Sequence, residues 1–210
     1  MCVKSFINRI TKTTRIFMKY FILFLSLFIT LSTNVRADVG IDLIASDAKN
    51  LGYKGIGYGI QLDADGNFNK NWGWDAQATF LEHPKFNATG GERYQTIIMG
   101  RRFFGNVFVE AGGEYGGYYS RFTEDRFYFK HGWSPGTGIG FAPDNGSEWT
   151  VRYFGPDSSP NNTSVVSASV EFPLPVENLR IGFTVERWDF KSAGKNLDGV
   201  QSMFELGWRF

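Results

Sequence analysis

The stretch GVQSMFELGWRF, Gly199 to Phe210, alternates without a break. Val200, Ser202, Phe204, Leu206, Trp208 and Phe210 share one side of an extended chain, and Gln201, Met203, Glu205, Gly207 and Arg209 share the other. A period of two is the geometry of a β-strand, in which successive side chains point to opposite faces. One face here is almost wholly apolar and closes on spaced aromatic residues; the other holds an acid, a base, an amide and a glycine. Such a strand divides an oily environment from a polar one.

The same alternation recurs upstream, punctuated by turn chemistry, over residues 38–46, 53–62, 72–81, 93–103, 107–121, 133–142, 148–155, 163–172, 179–190 and 199–210. Ten strands, an even number, predict an all-β fold: a closed antiparallel transmembrane β-barrel. The first strand and the Gly-rich sixth alternate least clearly, and without them the count is eight. Counting back from Phe210, the connections on one side are 173–178, 143–147, 104–106 and 63–71, and those on the other are 191–198, 156–162, 122–132, 84–92 and 47–52. The second set is longer on average, as expected where short turns face the periplasm and loops face outward, although 63–71 breaks the trend.

Upstream of the barrel, Met18 to Ala37 reads as an export signal: Lys19, an apolar run from Tyr20 to Ile29, and a polar stretch closing on Val35, Arg36 and Ala37, with small residues at the cleavage positions. Residues 1–17, with Lys4, Arg9, Lys12 and Arg15, are either an extended basic start or precede a true start at Met18, the preferred reading. The expected organisation is therefore a signal peptide over 1–37 and one barrel domain over 38–210. The chain has 22 Lys plus Arg and 21 Asp plus Glu; residues 1–37 hold six of the bases and none of the acids, so the remainder carries 16 against 21. A mildly acidic domain without a basic stripe argues against nucleic acid. The single cysteine, Cys2, falls in the leader, which leaves the domain no disulfide and no thiolate metal site.

Alternation alone does not say which face is wet, because a water-soluble barrel alternates with its apolar face inward. Three features favour an apolar exterior. Gly57, Gly59, Gly73, Gly112, Gly182 and Gly207 lie on the polar face, where a crowded interior needs small residues. That face also holds Asp42, Asp75, Glu110, Glu114, Arg152, Glu171, Arg180, Glu186, Glu205 and Arg209, charges of both signs able to interlock as a polar core. Glu171 and Arg180 flank one turn and are expected to meet across it. Finally, aromatics gather at the strand ends: Trp72, Phe103, Phe104, Phe141, Trp149, Phe172, Trp208 and Phe210 at the turn side, and Phe80, Tyr94, Tyr118, Tyr119, Trp133, Tyr153, Trp188 and Phe190 at the loop side. Rings with one dry and one wet side suit the two headgroup layers of a membrane.

Across 38–210 the chain resembles the small outer-membrane β-barrel proteins of Gram-negative bacteria. That resemblance implies an outer-membrane location, contact with outer-membrane lipids, and outer loops open to an extracellular ligand. It also implies that Phe204, Leu206, Trp208 and Phe210 are read by the barrel-assembly machinery. Within the class, Val151 to Ser158 (VRYFGPDS) followed by two alternating hairpin strands is similar to the YfaZ-type family, a likeness that implies location more than chemistry. Val107 to Gly112 and Thr137 to Arg152 resemble the lipid A 3-O-deacylase barrels. The His-x-Ser-Asn stretch of that family is replaced by Tyr153, Phe154, Gly155 and Pro156, so its nucleophile and base are missing.

Catalytic chemistry is thin. His83 and His131 are the only histidines, both expected near the outer rim, and His131, Ser134 and Asp125 are the one candidate set for a His-activated serine of a lipid-modifying enzyme. Asp63, Asp65 and Asn67 around Gly66 superficially match a calcium loop, but position twelve is Trp74 instead of Glu, and a turn is expected. Gly136, Gly138 and Gly140 sit in a strand with no following helix, so they are read as small inward residues rather than a dinucleotide fingerprint. No cofactor is expected. Ten strands leave a lumen filled by side chains, which favours a structural or interaction role. The alternative is a narrow channel, for which the seven acids and three bases of the inner-face set predict mild cation preference.

Overall fold

The computed structural model describes residues 36–49, 55–83, 91–123, 126–157, 163–192 and 195–210. The export-signal segment before Arg36 lies outside them. Ten antiparallel strands run β1 (Arg36–Lys49), β2 (Gly55–Asn69), β3 (Trp72–His83), β4 (Gly91–Phe104), β5 (Val107–Thr123), β6 (Arg126–Phe141), β7 (Glu148–Phe154), β8 (Ser164–Pro173), β9 (Leu179–Ser192) and β10 (Lys195–Arg209). Each pairs with its sequence neighbour, and β1 pairs with β10, giving a closed barrel. The seam runs from Gly40 opposite Arg209 to Lys49 opposite Val200, extended by a Phe210 N–H donated to Val39 O at 2.8 Å. Closure leaves no open sheet edge at the seam, which a hydrocarbon solvent would not tolerate.

Two stretches differ from the sequence expectation. Residues 63–69 were expected in a turn and instead continue β2, with Asp63 opposite Gln77 and Asp65 opposite Asp75, so the turn shrinks to Lys70–Asn71. Asn69 caps it: its Oδ1 accepts the backbone N–H of Asn71 at 2.9 Å and of Trp72 at 3.1 Å. Local turn propensity is overridden because Asp63 meets Arg209 across the interior. The connection that broke the length trend thereby joins the short set. Likewise β6 starts at Arg126, whereas residues 122–132 were expected in a loop. Only its Gly136–Phe141 portion pairs with β7, while its earlier part pairs with β5 alone, so β6 rises with β5 past the end of β7. Gly105, at φ 66°, makes the two-residue turn between β4 and β5 that a side chain would strain.

The apolar residues of the alternating strands face out. Ile56 is 75% exposed, and Leu43, Ile60, Ile98, Val109, Ile139, Val151, Val166, Phe183, Phe204 and Leu206 are exposed with it. Asp42, Asp75, Arg93, Arg101, Glu110, Glu114, Arg152 and Glu186 are buried. This is the inverse of a water-soluble protein, in which isolated charges are almost never buried and a core takes the large apolar side chains.

Candidate functional site: the lumen

The four turns define one end of the barrel and the five longer or ribbon-tipped connections the other. Inward residues near the turn end form an ion-pair web. Arg152 donates from Nε to Glu110 Oε2 at 2.7 Å and from Nη2 to Asp75 Oδ2 at 2.7 Å and Glu110 Oε1 at 3.0 Å. Arg101 donates from Nε to the same Glu110 at 2.8 Å and spans to Glu148 through both terminal nitrogens, at 2.7 and 3.2 Å. Each guanidinium therefore holds two or more carboxylates from different strands, which meets the condition for burying charge: geometry and hydrogen bonds that satisfy both partners.

A second web sits beside the seam. Arg209 contacts Asp63, donates to Glu171 at 2.9 Å, and lies 3.7 Å from Asp42. Glu171 also pairs with Arg180, across the turn that joins β8 and β9, in a setting about one-third open to solvent. Gln61 links Asp42 (3.2 Å) to Thr79 (2.8 Å), extending the polar layer around the wall. Between the webs lies a cavity of about 70 Å³ whose lining includes Asp63, Asp65, Asp75, Glu148, Glu171 and Glu205 together with the arginines. That is room for a few waters, each of which needs polar partners of this kind.

The loop half is built differently. Ala48, Ile97, Met99, Phe154, Val165 and Trp188 form one buried apolar cluster, and Ile44, Leu81 and Met203 another. Among the described residues a single cation crosses it: Arg93, with no exposed surface, donates to Gln201 at 2.8 Å and to Glu186 at 2.9 Å, contacts Gln95, and lies over the Trp188 ring at 4.9 Å. Gln95 passes the chain on to Glu114 at 2.7 Å, and Trp188 donates to Glu186 at 3.1 Å. Glycines make the room. A Cβ at Gly136 would lie 2.6 Å from the Phe154 ring, and one at Gly138 would lie 2.9 Å from a Glu110 oxygen and 3.0 Å from Val151 O. The β6 glycine row is thus a groove for large side chains from its neighbours.

Several inner residues escaped the sequence reading. Arg93, Arg101, Asp63 and Glu148 belong to the lumen, and Trp188 and Phe103 point into it instead of joining the aromatic rims. Trp188 is 2% exposed, and Phe103 packs on the buried Phe108 with ring centroids 5.5 Å apart. The cause is the apolar half of the lumen. On β4, inward Ile97 and Met99 flank outward Ile98, so both faces look alike and the phase of Arg93 and Arg101 is lost. The remaining inner-face residues, Asp75, Glu110, Glu114, Arg152, Glu171, Arg180, Glu186, Glu205 and Arg209, lie on strand positions facing the interior.

Ser134 lies in β6, opposite Glu114 and 1% exposed, not in a loop. His131 is also a β6 position, opposite Gly117, and Asp125 falls outside the described residues. His83 is the last residue of β3, at the loop-side end, and its side chain is buried with Nε2 3.0 Å from Ser46 Oγ. In the Val151–Ser158 stretch, Asp157 closes a loop base: its Oδ1 accepts the Thr163 N–H at 3.0 Å, and its own N–H is donated to Thr163 O at 3.0 Å. That aspartate has a structural use.

No protein-family model matches the chain, and no curated protein matches it. Among solved structures it is similar to Neisserial surface protein A, at 12% identity and TM-score 0.44, covering 82% of this chain and 95% of that one. It is similar as well to the attachment invasion locus protein Ail of Yersinia pestis, at 15% identity and TM-score 0.39, covering 83% and 97%. A third is the KdgM porin in complex with oligogalacturonate, at 10% identity and TM-score 0.42, covering 81% and 99%.

Proposed function

We propose that the chain is an outer-membrane β-barrel of structural or interaction type, with a lumen closed by its own side chains and with outer loops that meet partners outside the cell. The observation that carries this reading is the inversion of polarity: exposed Ile, Leu, Val and Phe side chains surround buried, mutually paired arginines and carboxylates. Hydrocarbon is the solvent in which that arrangement is favourable, because the outward residues need no water and the inward arginines Arg93, Arg101, Arg152 and Arg209 each hold at least one carboxylate. The export signal and the aromatic ending of β10, with Phe204, Leu206, Trp208 and Phe210 as an assembly signal, support the same placement. A YfaZ-type affiliation would rest on Val151–Ser158.

Membrane fractionation followed by gel migration with and without heating tests this. Recovery in the detergent-soluble envelope with a heat-dependent shift is expected; a freely water-soluble protein would overturn it. A second reading, a narrow cation-preferring path, is favoured by one feature, the acid-rich cavity at the turn end. The Arg93, Trp188 and Phe154 layer stands between that cavity and the loops, so planar bilayers are expected to show no discrete conductance steps. A lipid-modifying role has less support, since Ser134 is walled into the barrel.

A further inference from the structure

The inward arginines of this barrel are matched with acids. Arg93, Arg101, Arg152 and Arg209 point inward, and each is given at least one carboxylate. Arg102 occupies the opposite face. It lies on the outward row of β4, level with Trp72 on β3 and Val109 on β5, one turn-side step from Phe104. Its guanidinium carbon is 4.6 Å from the Trp72 ring centroid and 5.7 Å from that of Phe104. Among the described residues its guanidinium has no carboxylate partner and no hydrogen bond. Trp72 and Phe104 are 48% and 61% exposed, so the rings support the cation from the side and leave its donors open.

A cation facing hydrocarbon near the bilayer centre would be costly, and the cost falls away at the interface. Arg102 stands at the turn-side rim, two residues before β4 ends, where the first phosphates would lie. A guanidinium presents a planar fork of donors matched to two phosphate oxygens, and stacking on aromatic faces fixes the plane of that fork. Trp and Phe rings beside it fit the boundary between headgroup and acyl chain. We propose that Arg102, Trp72 and Phe104 form a seat for the phosphodiester of an anionic phospholipid in the leaflet next to the turns. The inference rests on the membrane reading given above and adds a defined lipid site to it.

The test uses the whole protein folded into phosphatidylcholine vesicles containing a minority of phosphatidylglycerol, with either lipid carrying a dibrominated chain that quenches tryptophan fluorescence. Trp72 is the local reporter, and Trp72→Phe identifies its share of the signal. The seat predicts stronger quenching by brominated phosphatidylglycerol than by brominated phosphatidylcholine. It further predicts that Arg102→Gln lowers the relative affinity about fivefold, the effect of one interfacial cation. Arg102→Lys should recover part of the preference, and Lys70→Gln, at the neighbouring turn, should leave it in place. Equal quenching of the wild type by both lipids overturns the proposal whatever the variants do. A loss with Lys70→Gln as large as with Arg102→Gln would replace the seat by diffuse attraction and overturn it too. Vesicle flotation separates the two levels: a protein that does not float refutes the membrane reading, whereas one that floats without lipid preference refutes only the seat.

Discussion

The two halves of the lumen solve the same packing problem with opposite chemistry. Near the turns, the space is filled by guanidinium groups shared among carboxylates of several strands; near the loops, it is filled by Phe154, Trp188, Met99 and Leu81, with Arg93 the one spanning cation among the described residues. An ion-pair layer is directional: each arginine needs its acids at fixed positions, so it specifies which strands stand opposite one another across the interior. An apolar layer fills volume with little directionality. On the function proposed above, specificity of closure falls to the charged half and sealing to the apolar half.

The largest effect that would break this contrast is expected at Arg152. Arg152→Met leaves Asp75 and Glu110 buried with less compensation and should cost about 4 kcal/mol, the middle of the range for breaking a buried pair; urea unfolding in detergent micelles measures it. Adding Asp75→Asn and Glu110→Gln should recover a substantial part, since the penalty belongs to the stranded charges. No recovery would mean that packing, not charge, dominates the turn half.

On the apolar side, Phe154→Ala empties the seat formed with Gly136 and should cost about 3 kcal/mol. Bilayer recordings of that variant sharpen the division: if this layer is the seal, discrete conductance steps appear in Phe154→Ala and are absent from the wild type. Gly138→Ala tests the boundary between the halves, where a Cβ would crowd Glu110 and Val151 O, and a loss of about 1–2 kcal/mol is expected from overpacking. The smallest effect belongs to Arg180→Gln. Its pair with Glu171 is partly solvated, so the change should stay below about 0.5 kcal/mol. A larger loss would extend the buried web to the rim.

How legible the fold was in the chain depended on the half. Where the lumen is charged, alternation is sharp: in the turn half of β5 and in β10 polar inward residues interleave with apolar outward ones, and both strand and phase are readable. Where the lumen is apolar, period two fades. Ile97, Ile98 and Met99 give no phase, Trp188 reads as a rim residue, and residues 122–132 read as a loop because their aromatic and basic side chains follow no simple alternation. Asp63 and Asp65 mislead for another reason. Their local preference is for a turn, and only the distant Arg209 gives Asp63 a reason to sit in a strand.

The sequence by itself determined that the chain is a succession of strands, ten or eight in number, each with an apolar and a polar face, because the period of two is a local property of extended backbone. Only the tertiary structure decided which charges meet, where the lumen turns from ionic to apolar, and which arginine is left outside among aromatic rings. Those are relations between strands far apart in the chain, fixed by closure and tilt of the sheet, and no local pattern encodes them.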